Sequence, residues 1–335
     1  MYPLALACGN TFVLKPSEKV PLTAVRIIEL LVEAGLPKGV LNLVHGGREA
    51  VDAILVHPDV DAVSFVGSSP VAKYIYETGT RNGKRVQSNG GAKNYIVVMP
   101  DADIPKTVDG IAGGAFGCAG ERCMASSTAI TVGAAGDVLT PQLATAARSM
   151  KLGPTDRMPQ PDLGPVITAE HRARVIDLIS GGESEGAHLL TDGREAVVGE
   201  APNGFYVGAT VADRVEPGTV LDREEVFGPV LNVIRVDNLD EAISLANRSS
   251  YGNGTAIYTR SGQAAREFKH RVQAGMVGIN VAVPASMAMF PFSGWKGSFY
   301  GDLHVQGKDG VAFYTKVKTV TSRWFAEGEG DIWRK

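Results

Sequence analysis

Cysteine is scarce in this sequence: Cys8, Cys118 and Cys123 are all that 335 residues contain. Three is too few, and too odd a number, for the disulfide framework of a secreted protein. A reducing, cytoplasmic compartment is therefore expected, with at least one thiol free for chemistry. Long apolar runs are also missing, and none reaches the roughly 18 residues that a membrane-spanning helix needs. Residues 1–8 are apolar, but they carry no basic n-region and Pro3 interrupts them, so they do not read as an export signal. Neither charge predominates: 33 Lys+Arg against 36 Asp+Glu leave a net charge of -3. That balance excludes nucleic acid or an anionic membrane held by bulk field, and leaves small molecules and other subunits as the expected partners. The dinucleotide fingerprint G-x-G-x-x-G is absent, so no motif of that kind announces a nucleotide site.

Glycine is abundant, 40 residues of 335, well above the ordinary share of about 7%. The first hundred residues alternate strand and helix. Short β-rich runs fall at 11–14, 40–44 and 62–66. Pro21 opens a helix in which Val25, Ile28, Leu31 and Val32 recur at helical spacing and which Gly35 stops. Further helices are predicted over 48–56 and from Ser69, as cap, with Pro70 first and the end near Gly79. Alternation with short connections implies a doubly wound parallel sheet, which binds ligands beyond the carboxyl ends of its strands. Lys15, Ser17, Glu18, Gly67 and Ser68 fall at such ends. The Gly67-Ser68-Ser69 turn before a helix suits a phosphate, and suits a plain strand-to-helix turn equally.

A second α/β unit follows, with strands near 95–99, 128–132, 230–234, 255–258 and 276–279 and helices over 170–179, 239–246 and 263–271. The Gly-rich stretches 180–186 and 192–204 read as surface loops. Residues 315–323 alternate polar and β-branched types, which predicts an extended strand pairing with another subunit or a distant sheet edge. The segment Gly113-Gly-Ala-Phe-Gly-Cys-Ala-Gly-Glu-Arg-Cys123 places four glycines and two cysteines within eleven residues. Glycine at that density leaves backbone N–H groups accessible beside a nucleophile, and Arg122 is a cation next to Cys123 that favours thiolate. Buried structural cysteines in a small-residue contact are the other reading. Zinc is not expected, because two cysteines five apart lack a second ligand pair.

Five motifs decide between these readings: Phe12-Val-Leu-Lys-Pro-Ser-Glu18, Phe65-Val-Gly-Ser-Ser, Gly120-Glu-Arg-Cys123, Glu224-Glu-Val-Phe-Gly-Pro-Val230 and Pro291-Phe-Ser-Gly294. In this order they resemble the aldehyde dehydrogenase superfamily over essentially the whole chain. Asn89-Gly-Gly-Ala-Lys-Asn94, Gly120-Glu-Arg-Cys-Met-Ala125 and Phe292-Ser-Gly-Trp-Lys-Gly-Ser-Phe-Tyr-Gly-Asp302 are similar to its CoA-acylating methylmalonate-semialdehyde dehydrogenases. The resemblance implies two doubly wound α/β units, the first incomplete, and a C-terminal oligomerisation strand in a homo-oligomer. It divides the chain into a partial NAD-binding domain (1–93), a catalytic domain (94–290) and a return segment with strand and tail (291–335).

Carried over residue by residue, the resemblance makes Cys123 the nucleophile and gives Lys15 and Glu18 the adenosine ribose of NAD. Ser68 takes the pyrophosphate, Glu225 the nicotinamide ribose and Phe227 the nicotinamide, while Arg122 reads the substrate carboxylate. Asn89 stands where hydrolytic members carry a Glu base. Asn takes no proton at neutral pH, so a thioester on Cys123 would await the thiol of CoA. The implied reaction converts malonate or methylmalonate semialdehyde to acetyl-CoA or propionyl-CoA with NAD. Hydrolytic oxidation to a free acid and an inactive NAD-binding fragment are the alternatives. The family's chains carry roughly a hundred or more residues ahead of the position of Met1, a domain-sized piece that includes a strand of the cofactor sheet and an oxyanion-binding Asn. A fragment with an uncovered sheet edge is therefore expected.

Overall fold

The computed structural model describes residues 1–324. In its first part, β1 (Phe12–Leu14), β2 (Leu41–Leu43), β3 (Ala62–Val66) and β4 (Arg85–Asn89) alternate with helices at Pro21–Glu33, Arg48–Val56 and Ser69–Arg81. β1 pairs in parallel with β2, and β3 in parallel with β4. The two pairs are not joined to each other. The free edges of β1 and β3 border a cavity of about 270 Å3 whose walls include Phe12, Val13, Ala62 and Phe65. The helix Pro21–Glu33 buries no residue. Only Leu55, Ile75 and Val86 form a buried apolar cluster in this part.

The second part contains β5 (Tyr95–Val98), β6 (Thr128–Val132), β7 (His188–Thr191), β8 (Thr210–Asp213), β9 (Val230–Val236), β10 (Tyr251–Gly252), β11 (Gly254–Tyr258) and β12 (Met276–Ile279). Seven of them make one sheet in the order β12-β11-β5-β6-β9-β8-β7, parallel except that β7 runs against β8. Helices cover both faces, so β5 and β6 are buried throughout; a parallel strand buried on two faces shows no polar alternation. The chain then returns through β13 (Trp295–Lys296) and β14 (Phe299–Tyr300). β13 pairs with β10 and β14 with β4, placing Phe299 opposite Asn89. The return segment thereby ties the two parts together beside the end of β4.

Several expectations need correction. Residues 180–184 are helical, not a loop: the helix Ala169–Ser184 continues through Gly181 and Gly182, because a Cβ at Gly182 would overlap Leu221 and only glycine lets that neighbour approach. Gly113 and Gly114 lie inside the helix Ile104–Phe116, where backbone N–H groups are committed to the helix ladder rather than exposed. Ser69 does not cap its helix, whose N-cap is Ser68 without a side-chain bond. Instead the Ser69 hydroxyl donates to the Gly297 carbonyl at 2.6 Å and accepts from the Gly91 N–H at 2.9 Å. Residues 315–323 are extended and pair with no strand among the described residues of this chain. They are held by Arg85, which donates to the carbonyls of Thr315 and Ala312, and by the Lys316–Asp61 pair. Residues 325–335 of the expected tail lie outside the described residues.

Candidate active site

Cys123 sits in the loop between a short 3-10 turn, Gly117–Gly120, and β6. The turn holds Cys118 and Ala119 at positive φ, and Gly120 at +71° passes so close to Gly228 that a Cβ would overlap its carbonyl. Cys118 is exposed and Cys123 half-buried. Two buried amides converge on the loop. Asn94 Nδ2 donates to the carbonyls of Cys123 (2.9 Å) and Ala125 (2.8 Å), and Asn253 Nδ2 donates to the carbonyl of Cys123 (2.9 Å).

The thiol faces two spaces. One is a cavity of about 290 Å3 shared with Asn89, Gly90, Asn253, Phe292 and Gln306. The other is a narrow recess that Cys123 shares with Arg122, Lys93, Glu225 and Phe227. Asn89 is the last residue of β4, buried, and its amide donates to the Phe65 carbonyl at 3.3 Å. Glu225 Oε1 accepts from the Ala92 N–H at 3.0 Å, and burial raises the carboxyl above its usual range. Lys93 is buried and donates to the Glu224 carbonyl at 2.9 Å. Burial lowers its ammonium to about 8 against the opposing pull of Asp222, Glu225 and Glu224.

Burial, and then the facing Glu225 carboxylate, push the Cys123 thiol up; the N–H groups of Cys123 and Met124 act in the other direction. Arg122 lines the same recess as Cys123. Its guanidinium lies against Gly117, where a Cβ would overlap it.

Phe227 adopts a left-handed φ of +55°. His171 Nε2 donates to its carbonyl at 2.7 Å, and the two rings stand edge to face at 6.2 Å. Lys15 Nζ is engaged by the carbonyls of Pro16 (2.6 Å) and Gly46 (2.8 Å) and lies 3.4 Å from Glu18. Glu18 is exposed. Ser68 precedes the helix Ser69–Arg81 at the carboxyl end of β3. Among the described residues no cluster of His, Cys, Asp or Glu could hold a metal. Cys123 thus lines both spaces, with Asn89 in one and Arg122, Glu225 and Phe227 in the other, while Lys15, Glu18 and Ser68 stand at the ends of β1 and β3. Sequence reading missed Lys93, Asn94, His171, Asn253 and Gln306. The first two stand within a quoted motif, but nothing in the sequence links Asn253 to a cysteine 130 positions earlier.

A half-buried thiol beside an anchored carboxylate and an adjoining cavity is suited to nucleophilic attack on a carbonyl. The aldehyde dehydrogenase family matches residues 1–320. The chain belongs to this family. It is 54% identical over 326 residues to malonate-semialdehyde dehydrogenase 1 of Oceanobacillus iheyensis, covering 97% of this chain and 66% of that relative. The solved methylmalonate-semialdehyde dehydrogenase of Oceanimonas doudoroffii superposes with a TM-score of 0.95 at 52% identity, over 97% of this chain and 67% of that one. A Sinorhizobium meliloti protein complexed with NAD superposes equally well, TM-score 0.95, at 48% identity over 97% and 66%. The chain therefore spans about two thirds of the length of these relatives.

Proposed function

We propose that the protein acts in NAD-dependent oxidative decarboxylation of malonate or methylmalonate semialdehyde, delivering acetyl or propionyl to CoA through a thioester on Cys123. The observation that carries this reading is the shared cavity of Cys123 and Asn89: the thiol faces an amide, which takes no proton from water. Cys123 thiolate adds to the aldehyde carbon, and the N–H groups near the sulfur hold the oxyanion. NAD, when bound, supplies the acceptor for the hydride. Lys15 and Glu18 would hold its adenosine ribose, and Ser68 with the helix N-terminus its pyrophosphate. That helix has no side-chain cap to compete for its first N–H groups. Glu225 would bond the other ribose, and Phe227, fixed by His171, would pack beside the ring. Arg122 would read the substrate carboxylate. That carboxylate lies β to the thioester carbonyl and leaves as CO2, the carbon it leaves taking a proton from solvent; the CoA thiol then takes the acyl group as the bond to Cys123 sulfur breaks.

Extended residues 315–323, with Val317 and Val320 exposed, support assembly into a homo-oligomer. Three free cysteines suit the cytoplasm. Hydrolysis to a free acid is a second reading, favoured by Glu225, a carboxylate with a raised proton affinity in the Cys123 recess. Product analysis separates the two. With semialdehyde, NAD and CoA, the first reading gives acyl-CoA, and Asn89→Glu moves product towards the free acid. A product ratio unchanged by Asn89→Glu places CoA dependence elsewhere. Cys123→Ser abolishes turnover under either reading, while Cys8→Ser and Cys118→Ser leave most of it.

A further inference from the structure

The peptide between Cys123 and Met124 is gripped from its carbonyl side by two buried side chains. Asn94 and Asn253 both donate to this one oxygen at 2.9 Å. Asn94 is fixed in turn by its Oδ1, which accepts from the Gly254 N–H at 3.0 Å. Asn253 also donates to Met124 Sδ at 3.0 Å, and the carbonyl of Asn253 accepts from the Met276 N–H at 3.1 Å. The other end of the same peptide is the Met124 N–H, one of the donors that favour the ionised sulfur. A peptide is planar, so fixing its carbonyl fixes the direction of its N–H. Loading the oxygen with two donors also polarises that N–H.

We propose that Asn253, acting with Asn94, is a positioning residue for the Cys123 thiolate: its amide holds the carbonyl of Cys123 itself, and so sets the orientation of the 123–124 peptide beside the sulfur. Asn253 lies at the junction of β10 and β11 and also walls the cavity that Cys123 shares with Asn89. It therefore couples the seven-stranded sheet to the reactive loop. The charged groups that line the recess with the thiol are Glu225, Lys93 and Arg122. None of them touches the Asn253 amide. The proposal rests on the thiolate role given above only for its use in catalysis, since ionisation of the thiol can be read without substrate.

The test is the pH dependence of iodoacetamide alkylation of Cys123 in the full chain, followed by peptide mass spectrometry so that Cys8 and Cys118 do not interfere. Asn253→Ala and Asn253→Ser are expected to raise the midpoint by about 0.5 to 1 unit and slow alkylation at pH 7.5 about 3- to 10-fold, the effect of misaligning one hydrogen bond to the charged form. Met124→Leu, of similar volume, removes the sulfur contact and leaves the carbonyl bond, so its midpoint stays that of the unmodified chain. A midpoint unmoved in both Asn253 variants, or loss of folding in both, overturns the proposal and leaves Asn253 a packing residue. Loss of acyl-CoA formation in the unmodified chain with the midpoint shift intact would count against the proposed reaction alone.

Discussion

Lys93 is a cation enclosed by Asp222, Glu224 and Glu225, with its ammonium lowered from 10.5 to about 8. Its effect on stability has a definite sign. Between pH 8 and 10.5 the unfolded chain keeps this proton and the folded chain has released it, so stability from this group rises with pH in that window. Below pH 8 both states are protonated and the cost of burying the charge is fully present. The scale is about 3 kcal/mol across the window, at 1.36 kcal/mol per unit. Tyr95 and Cys123, whose ionisation burial opposes, act against it. The contribution of Lys93 is therefore read as a difference from Lys93→Met. Urea denaturation at pH 7.5 and 9.5 is expected to show the unmodified chain gaining on the variant at the higher pH. Arg122 gives a second residue-scale outcome. Arg122→Leu is expected to weaken semialdehyde binding about 10-fold or more, from loss of a charge-assisted pair, while propionaldehyde oxidation is kept. Equal loss on both aldehydes removes carboxylate reading from its role.

At the scale of elements, two glycines in helices differ in what surrounds them. Gly182 packs against the fully buried Leu221, and added volume there cannot be relieved by a side chain moving into solvent. Gly182→Ala is expected to destabilise by about 1–3 kcal/mol, as overpacking does. Gly113 has nothing within 4 Å of a built Cβ and no positive φ. Gly113→Ala should stabilise the helix Ile104–Phe116 by about 0.5–1 kcal/mol. Thermal melts of the two variants should therefore move in opposite directions. The same contrast explains why one helix reads as a loop in the sequence: Gly181 and Gly182 look like punctuation until Val220 and Leu221 are placed against them.

Over the whole molecule, cohesion is uneven. The seven-stranded sheet is embedded in a cluster running from Tyr95 to Ala282, whereas the first part relies on Leu55, Ile75 and Val86. Leu22, Leu30 and Val32 of the helix Pro21–Glu33 are exposed, at 79%, 47% and 59%. Native-state hydrogen exchange is expected to release the amides of β1 and β2 at least 100-fold faster than those of β6 and β9, because local opening follows the density of buried contacts. Uniform protection across both parts would show them to be one cooperative unit. Exposed apolar surface of this extent also favours association, so gel filtration should give a size above 35.3 kDa.

By itself the sequence determined the alternation of strands and helices, the parallel sheets and the motifs that carry Cys123, Asn89, Glu225 and Phe227. Apolar periodicity and turn residues act over a few positions, and so do contiguous motifs. β4 escaped that reading because Arg-Val-Gln-Ser-Asn is polar, and yet Gln87 and Ser88 are fully buried between β3 and β14. The helices Ile104–Phe116 and Ala135–Ser149 were hidden by small residues and Pro141. Only the tertiary structure turned Arg122 towards Gly117, set Glu225 against the thiol, tied Thr315 to Arg85 and brought Asn253 to the Cys123 carbonyl. Each of these depends on which surfaces meet across long chain separations, and that follows from packing volume and from the need of buried polar groups for partners.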